Sequence, residues 1–134
     1  MNSNEVIISS YPWLALYDDN NNLRTEITLL DLLPEGWRGL VLEMCQEIAE
    51  VLQDCDMSKH RYQVAEAKEK WCALDWYDYM GTWDKEWCCL TVPDEIREIT
   101  QEYWNKSKEV CMICGAPKSK DEQVCQKCAE NRIM

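Results

Sequence analysis

Between positions 37 and 54, apolar side chains recur every three or four residues. Trp37, Leu40, Val41, Met44, Ile48, Val51 and Leu52 share one helical face, and Glu43, Glu47, Glu50 and Asp54 lie largely outside it. The pattern predicts an amphipathic helix over 37–54, about five turns long, with its Met and Trp in a core. Cys45 sits at the edge of the stripe and reads as a buried or half-buried thiol. A second helix is predicted over 93–107. Pro93 suits its first position, Asp94 and Glu95 suit the positive end of its dipole, and Lys106 and Lys108 suit its far end. Its buried face is Ile96, Ile99 and Tyr103, with Thr100 at the margin.

The segment 62–79 supports two readings. Val64, Ala67, Trp71 and Leu74 suit a helix, and so do its Ala, Glu and Lys residues. Leu74, Trp76 and the aromatics up to Tyr79 suit a strand. Gly81-Thr82 ends the segment, and Glu86 to Val92 reads as a further short strand. Near the start, Tyr11-Pro12-Trp13-Leu14 reads as an extended lead-in, and Asp18 to Asn22 as a polar turn. Ile27 to Leu33 is an apolar run that Pro34-Glu35-Gly36 interrupts, which allows a short hairpin across the turn. No internal repeat or low-complexity tract is present. The expected fold class is α+β, with the first helix burying Trp37, Val41, Met44, Ile48 and Val51 against one face of a small antiparallel sheet.

The last 30 residues carry the most specific signal. Cys111-Met112-Ile113-Cys114-Gly115 is followed by Cys125-Gln126-Lys127-Cys128. Two C-x-x-C pairs joined by a short loop have the layout of a four-thiolate zinc site. Two intervening residues let both sulfurs of a pair face one ion, and Gly115 permits the tight turn after the second ligand. The alternatives are two disulfides, a redox pair or chance. Four protein ligands leave no open coordination position, so one Zn2+ on Cys111, Cys114, Cys125 and Cys128 is structural. So short a tail folds poorly alone, and the metal supplies much of its stability. The chain divides into an α+β body, 1–107, and a zinc ribbon or knuckle, 108–134.

Composition narrows the function. The chain has 134 residues, nine cysteines, seven Trp, six Tyr and no Phe. No apolar run is long enough to span a membrane, and the first residues lack a secretory signal. An odd number of cysteines fits a disulfide framework poorly. A reducing cytoplasm is expected, the host's if the gene is phage-borne. The net charge is −11: residues 1–105 hold 8 basic and 21 acidic side chains, and residues 106–134 hold 6 basic and 4 acidic. An acidic body repels phosphate backbones and is drawn to basic surfaces.

No catalytic residue is assigned, and the chain is not expected to be an enzyme. His60, the only histidine, lies in a polar stretch, and its C-x4-H spacing from Cys55 is thin support for a second metal site. Cys88 and Cys89 are adjacent and cannot both point inward from a strand. Asp75, Asp78, Asp84 and Glu86 read as solvated surface acids rather than a catalytic pair. With four glycines there is no phosphate-binding loop.

The order of segments is similar to that of a family of small uncharacterised proteins from bacteria, prophages and phages. The residues that carry this are Glu35-Gly36-Trp37 at a helix start, then Ala67-Lys68-Glu69-Lys70-Trp71-Cys72-Ala73-Leu74-Asp75-Trp76-Tyr77, then the Cys111-to-Pro117 knuckle and the second pair. That family has a Gly-Trp helix start, a K-E-K-F-G-x-L-R-x-Y hairpin and a terminal C-x-x-C-G-x-P zinc motif. The resemblance covers roughly 34–128. It implies that 62–79 is two strands, and it implies no reaction. Cys72 stands at the family's hairpin glycine and Asp75 at its arginine, so the tight turn is harder to make and the surface is more acidic.

Two functions follow from different features. The first is a non-catalytic binding protein whose acidic surface engages a basic protein partner. A phage setting suggests a host-defence target, for example a CRISPR effector whose nucleic-acid groove an acidic surface would fill. The second is a zinc-ribbon regulator that binds nucleic acid through Lys118, Lys120, Lys127 and Arg132. A zinc hydrolase would need an open metal position that four cysteines do not leave.

Overall fold

The computed structural model describes residues 3–54, 60–82, 85–90, 92–120 and 124–132, with the backbone alone described at 60, 82, 85–90 and 131–132. The fold is α+β with two small antiparallel sheets. The order is α1 (Ser3–Ser10), β1 (Ala15–Tyr17), β2 (Leu23–Thr28), α2 (Arg38–Gln53), β3 (His60–Lys70), β4 (Ala73–Thr82), β5 (Lys85–Leu90), α3 (Asp94–Ser107) and α4 (Gln126–Arg132). Strands β1 and β2 pair with each other, and the second sheet runs β3-β4-β5.

The hairpin across the polar turn forms as expected. The Asp18 carboxylate accepts the amides of Asn20 and Asn22, both at 2.9 Å, which is how a short acid closes a turn. Two details of the first 35 residues differ from expectation. Ser3–Ser10 is a helix, α1, with no fully buried residue, so no apolar stripe announced it. Pro12–Leu14 is a 3₁₀ turn rather than an extended segment, because proline's fixed φ suits the first position of a helical turn.

The ambiguity at 62–79 resolves as a hairpin, and the continuous-helix reading is wrong. A bulge between Val64 and Glu66 shifts the register of β3 against β4. Val64 then opposes Asp78 and Ala67 opposes Trp76. The bulge inserts one extra residue, so Val64 and Ala67 share a face at a spacing of three. That spacing imitates a helix while the chain is a strand. Trp71 and Cys72 close the hairpin with φ of 58° and 65°. These are the positive angles of a tight two-residue turn. The missing glycine has not prevented the turn from forming. Trp71 stands out from the tip, 86% exposed.

Helix α2 buries Trp37, just ahead of it, and Val41, Met44 and Ile48 completely. Val51 is only half-buried. Cys45 and Leu52 hold deeper positions than it does. The core joins these residues to Leu14, Leu30, Tyr62, Leu74, Met80, Ile96 and Tyr103. Trp13 links helix to sheet: its indole N–H donates to Cys45 Sγ at 3.3 Å, and its ring meets Tyr62 edge-on at 5.1 Å. Burial pushes the Cys45 thiol up to about 12, only partly offset by Trp13, so it behaves as a small core residue. Helix α3 starts one residue later than predicted, with Pro93 as its cap rather than its first residue. Ile96 and Tyr103 are its buried anchors. The Ser107 hydroxyl ties the end of α3 to the sheet, accepting the Leu74 amide at 2.8 Å.

Candidate metal centre and the surface around it

The tail begins where α3 ends. Val110 forms an isolated antiparallel bridge with Pro117, and the Cys111 amide donates to the Ala116 carbonyl at 2.7 Å. This closes the first knuckle into a loop. Gly115 turns it with φ of 81°, the left-handed conformation that favours glycine. The second pair lies at the start of α4: Cys125 immediately precedes the helix and Cys128 sits in its first turn, with the Ala129 amide bonded to Cys125 O at 2.9 Å. Among the described residues of the tail there is a single bridge and a helix, not the strands of a ribbon.

All four predicted ligands meet. The sulfurs of Cys111, Cys114, Cys125 and Cys128 lie within 4.8 Å of one another, and none is in a disulfide. Cys114 Sγ and Cys125 Sγ are 3.6 Å apart. A tetrahedral ion with bonds of about 2.3 Å places its sulfurs about 3.8 Å apart, so the spacing fits a single ion. It is far too wide for a disulfide bond of about 2.05 Å. Cys111, Cys125 and Cys128 are buried, and Cys114 is at the surface.

The thiols are electrostatically unlike. Burial opposes ionisation of Cys111, but the backbone amides of Cys114, Cys125 and Ile113 outweigh it and bring its pKa down to about 6. Burial, with hydrogen bonds from the three neighbouring sulfurs, pushes Cys128 up to about 12. Crowding thus favours one thiolate and penalises the next. A divalent cation at the centre would remove that penalty and allow all four to ionise. The donor set fits such an ion.

The knuckle is seated on the body rather than hung from it. The Gly36 amide donates to Met112 O at 2.7 Å, and the Trp37 indole donates to Val110 O at 3.1 Å. By sequence, Gly36-Trp37 is a helix start. Their second role, receiving the tail, depends on contacts more than 70 residues away.

The acids do not all behave as solvated. Asp75 and Asp78 are both half-buried, which corrects the expectation for these two. Asp78 accepts the Tyr62 hydroxyl at 2.5 Å, and the same hydroxyl accepts the Trp76 indole N–H at 2.9 Å. Burial raises the Asp78 pKa above its ordinary 3.8. Helices α2 and α3 carry seven carboxylates between them against three cations, and all of the seven but Glu47 are exposed. The Tyr103 hydroxyl donates to Glu47, and burial first, then Glu47 and the charges of Glu43 and Glu102, raise its pKa. Cys55, Asp84 and the side chains of His60, Glu86, Cys88, Cys89 and Arg132 lie outside the described residues. Among the described residues, no helix is long and apolar enough to cross a membrane. No family model, curated protein or solved structure matches this chain.

Proposed function

We propose that this is a non-catalytic binding protein, stapled by one structural Zn2+ on its four tail thiolates, that engages a basic protein surface through the acidic faces of α2 and α3. The observation that carries the reading is the excess of carboxylates on helices α2 and α3, seven against three cations, with six of the seven exposed. Exposed carboxylates at this density speed encounter with a cationic surface and disfavour contact with phosphate. Trp71, Tyr17 and Tyr77 are exposed aromatics that supply candidate anchors. Under the resemblance to phage and prophage proteins, the partner is a host-defence effector, for example a CRISPR nuclease complex, whose nucleic-acid groove the acidic faces occupy.

Ligand chemistry supports zinc as the ion, since four thiolates brought this close together suit a tetrahedral Zn2+. The nucleic-acid regulator is less well supported. Lys118, one of the four cations it needs, is bound to the backbone carbonyls of Lys108 and Ser119 and so serves the tail's own fold.

The test compares the wild type with a triple charge reversal at Glu43, Glu50 and Glu98, all exposed. Both are used to capture partners from a bacterial host, and association rates are measured against salt. The reading expects basic partners whose association slows with salt and is lost in the variant, while fold and metal content persist. Capture of duplex DNA or RNA at physiological salt, with basic proteins ignored, would contradict it.

A further inference from the structure

In the second sheet, part of the middle strand lacks a neighbour on one side. Among the described residues, strand β5 pairs with β4 only at Met80, Gly81 and Thr82, so the Ala73–Tyr79 stretch of β4 has β3 on one side and no described strand on the other. The direction of its backbone groups follows from the ladder. In an antiparallel pair, alternate residues point their N–H and C=O at the same neighbour. The Leu74 amide points away from β3, to Ser107 Oγ, and Met80 pairs outward with Leu90. Trp76 and Asp78 lie between them at the same parity and present their backbone groups to the open side as well. No backbone bond from another described segment reaches them there.

Helix α3 runs beside this edge, and the two enclose a cleft of about 220 Å3 lined by Leu74, Asp75, Trp76, Thr100, Gln101 and Trp104. One wall is a strand edge with unpaired donors and acceptors, and the other is one side of a helix. Asp75 is among the lining residues, and its Oδ2 is screened from solvent and accepts no hydrogen bond among the described residues. The Tyr77 hydroxyl lies close enough to this carboxylate for a hydrogen bond to it to be the main cause of that tyrosine's raised pKa, and Lys68 feels its charge, yet Oδ2 itself has no donor among the described residues. A buried acceptor left in this way is costly until something supplies a proton donor. Arg97 of α3 pairs with Asp94 at 3.6 Å, and Lys108, just past the helix, lies over the Trp104 ring.

We infer that the cleft between β4 and α3 receives an extended segment of a protein partner as an added strand, with an Arg or Lys side chain of that segment donating to Asp75. Strand addition satisfies the open backbone groups of Trp76 and Asp78, and the cation satisfies Asp75 Oδ2. A second copy of this chain fits the edge poorly, because edge-to-edge pairing would bring Asp75 and Asp78 near their own copies on a protein of net charge −11. The inference rests on the reading of a basic protein partner and specifies where such a partner docks.

The probe is a capped octapeptide of alternating valine and arginine, titrated into the zinc-loaded, 15N-labelled protein. Its counterparts are the valine–glutamate peptide and the valine–arginine peptide N-methylated at every second amide. The arginine peptide is expected to shift the Trp76 and Asp78 amides and slow their hydrogen exchange, and both counterparts are expected to fail. Asp75→Asn should weaken binding about tenfold or more. Gln101→Arg, on an exposed position of the cleft wall, should weaken it with the spectrum otherwise intact. If the arginine peptide binds but shifts only α2 and the outer face of α3, the acidic-surface reading stands and the cleft assignment is overturned. If it shifts no residue at all, both fall. Shifts at Trp76 and Asp78 that follow protein concentration without peptide would make a second copy the occupant, and would overturn the inference.

Discussion

Gly36 and Gly115 are in backbone-to-backbone contact: a Cβ built on Gly36 would lie 2.8 Å from the Gly115 nitrogen, and one built on Gly115 would lie 2.9 Å from the Gly36 oxygen. Here the metal knuckle is pressed onto the start of α2, with no room for a side chain on either surface. Gly36→Ala should therefore cost about 1–3 kcal/mol of stability, because the atoms it meets are backbone and cannot swing aside. Gly39→Ala, three residues on with nothing within 4 Å, is the control and should gain up to about 1 kcal/mol. Urea melts of the two variants check the pair, and equal effects would contradict the seating of the knuckle.

Ser107 is fully buried and has two tasks: it accepts the Leu74 amide and donates to the Trp104 carbonyl at 2.7 Å. Ser107→Ala leaves the Leu74 amide without its partner at a buried position. The expected loss is about 1–3 kcal/mol, with faster hydrogen exchange at Leu74. Unchanged exchange there would contradict the bond.

Cys72 holds a φ of 65° at the hairpin tip, which strains a side-chain-bearing residue. Glycine at the same position removes that strain. Cys72→Gly should stabilise the fold by about 1 kcal/mol, read as a higher denaturation midpoint. A loss of stability would mean that the thiol makes a contact worth more than the strain.

Asp78 sets a pH dependence. Burial, the largest cause, raises its folded pKa above the ordinary 3.8, partly offset by Tyr62, its own amide and Arg97. The native state thus holds this proton more tightly than the unfolded chain does. Its contribution is most favourable below the unfolded value and is lost as pH rises through the folded one. The stability of the wild type relative to Asp78→Asn should decline over that interval and then level off. Denaturation midpoints of both proteins across the acid range check it, and a pH-independent difference would contradict the assignment.

What the sequence made legible follows periodicity and short spacing. The stripe from Trp37 to Leu52 is local, and it located α2 to within a residue of the observed helix. The two C-x-x-C pairs named all four cysteines that converge, because knuckle geometry is set by the two residues inside each pair. The bulge in β3 was not legible, since one inserted residue made a strand carry helical spacing. Nor was α1, which lacks an apolar stripe. The expectation that Asp75 and Asp78 are solvated failed because the burial of a carboxylate depends on what packs over it: Tyr62 sits 16 residues from Asp78, and Trp104 on α3 shares the cleft with Asp75. The seating of Gly36 and Trp37 on the tail was hidden for the same reason.

The closed coordination and the non-catalytic reading both assume a metal on the four tail cysteines. Native mass spectrometry of the purified protein, beside elemental analysis, tests it most directly. The expected result is one zinc per chain with all four thiols deprotonated, and metal lost in Cys111→Ala together with rapid proteolysis of the tail. A metal-free chain carrying two disulfides, or full zinc occupancy in Cys111→Ala, would contradict it.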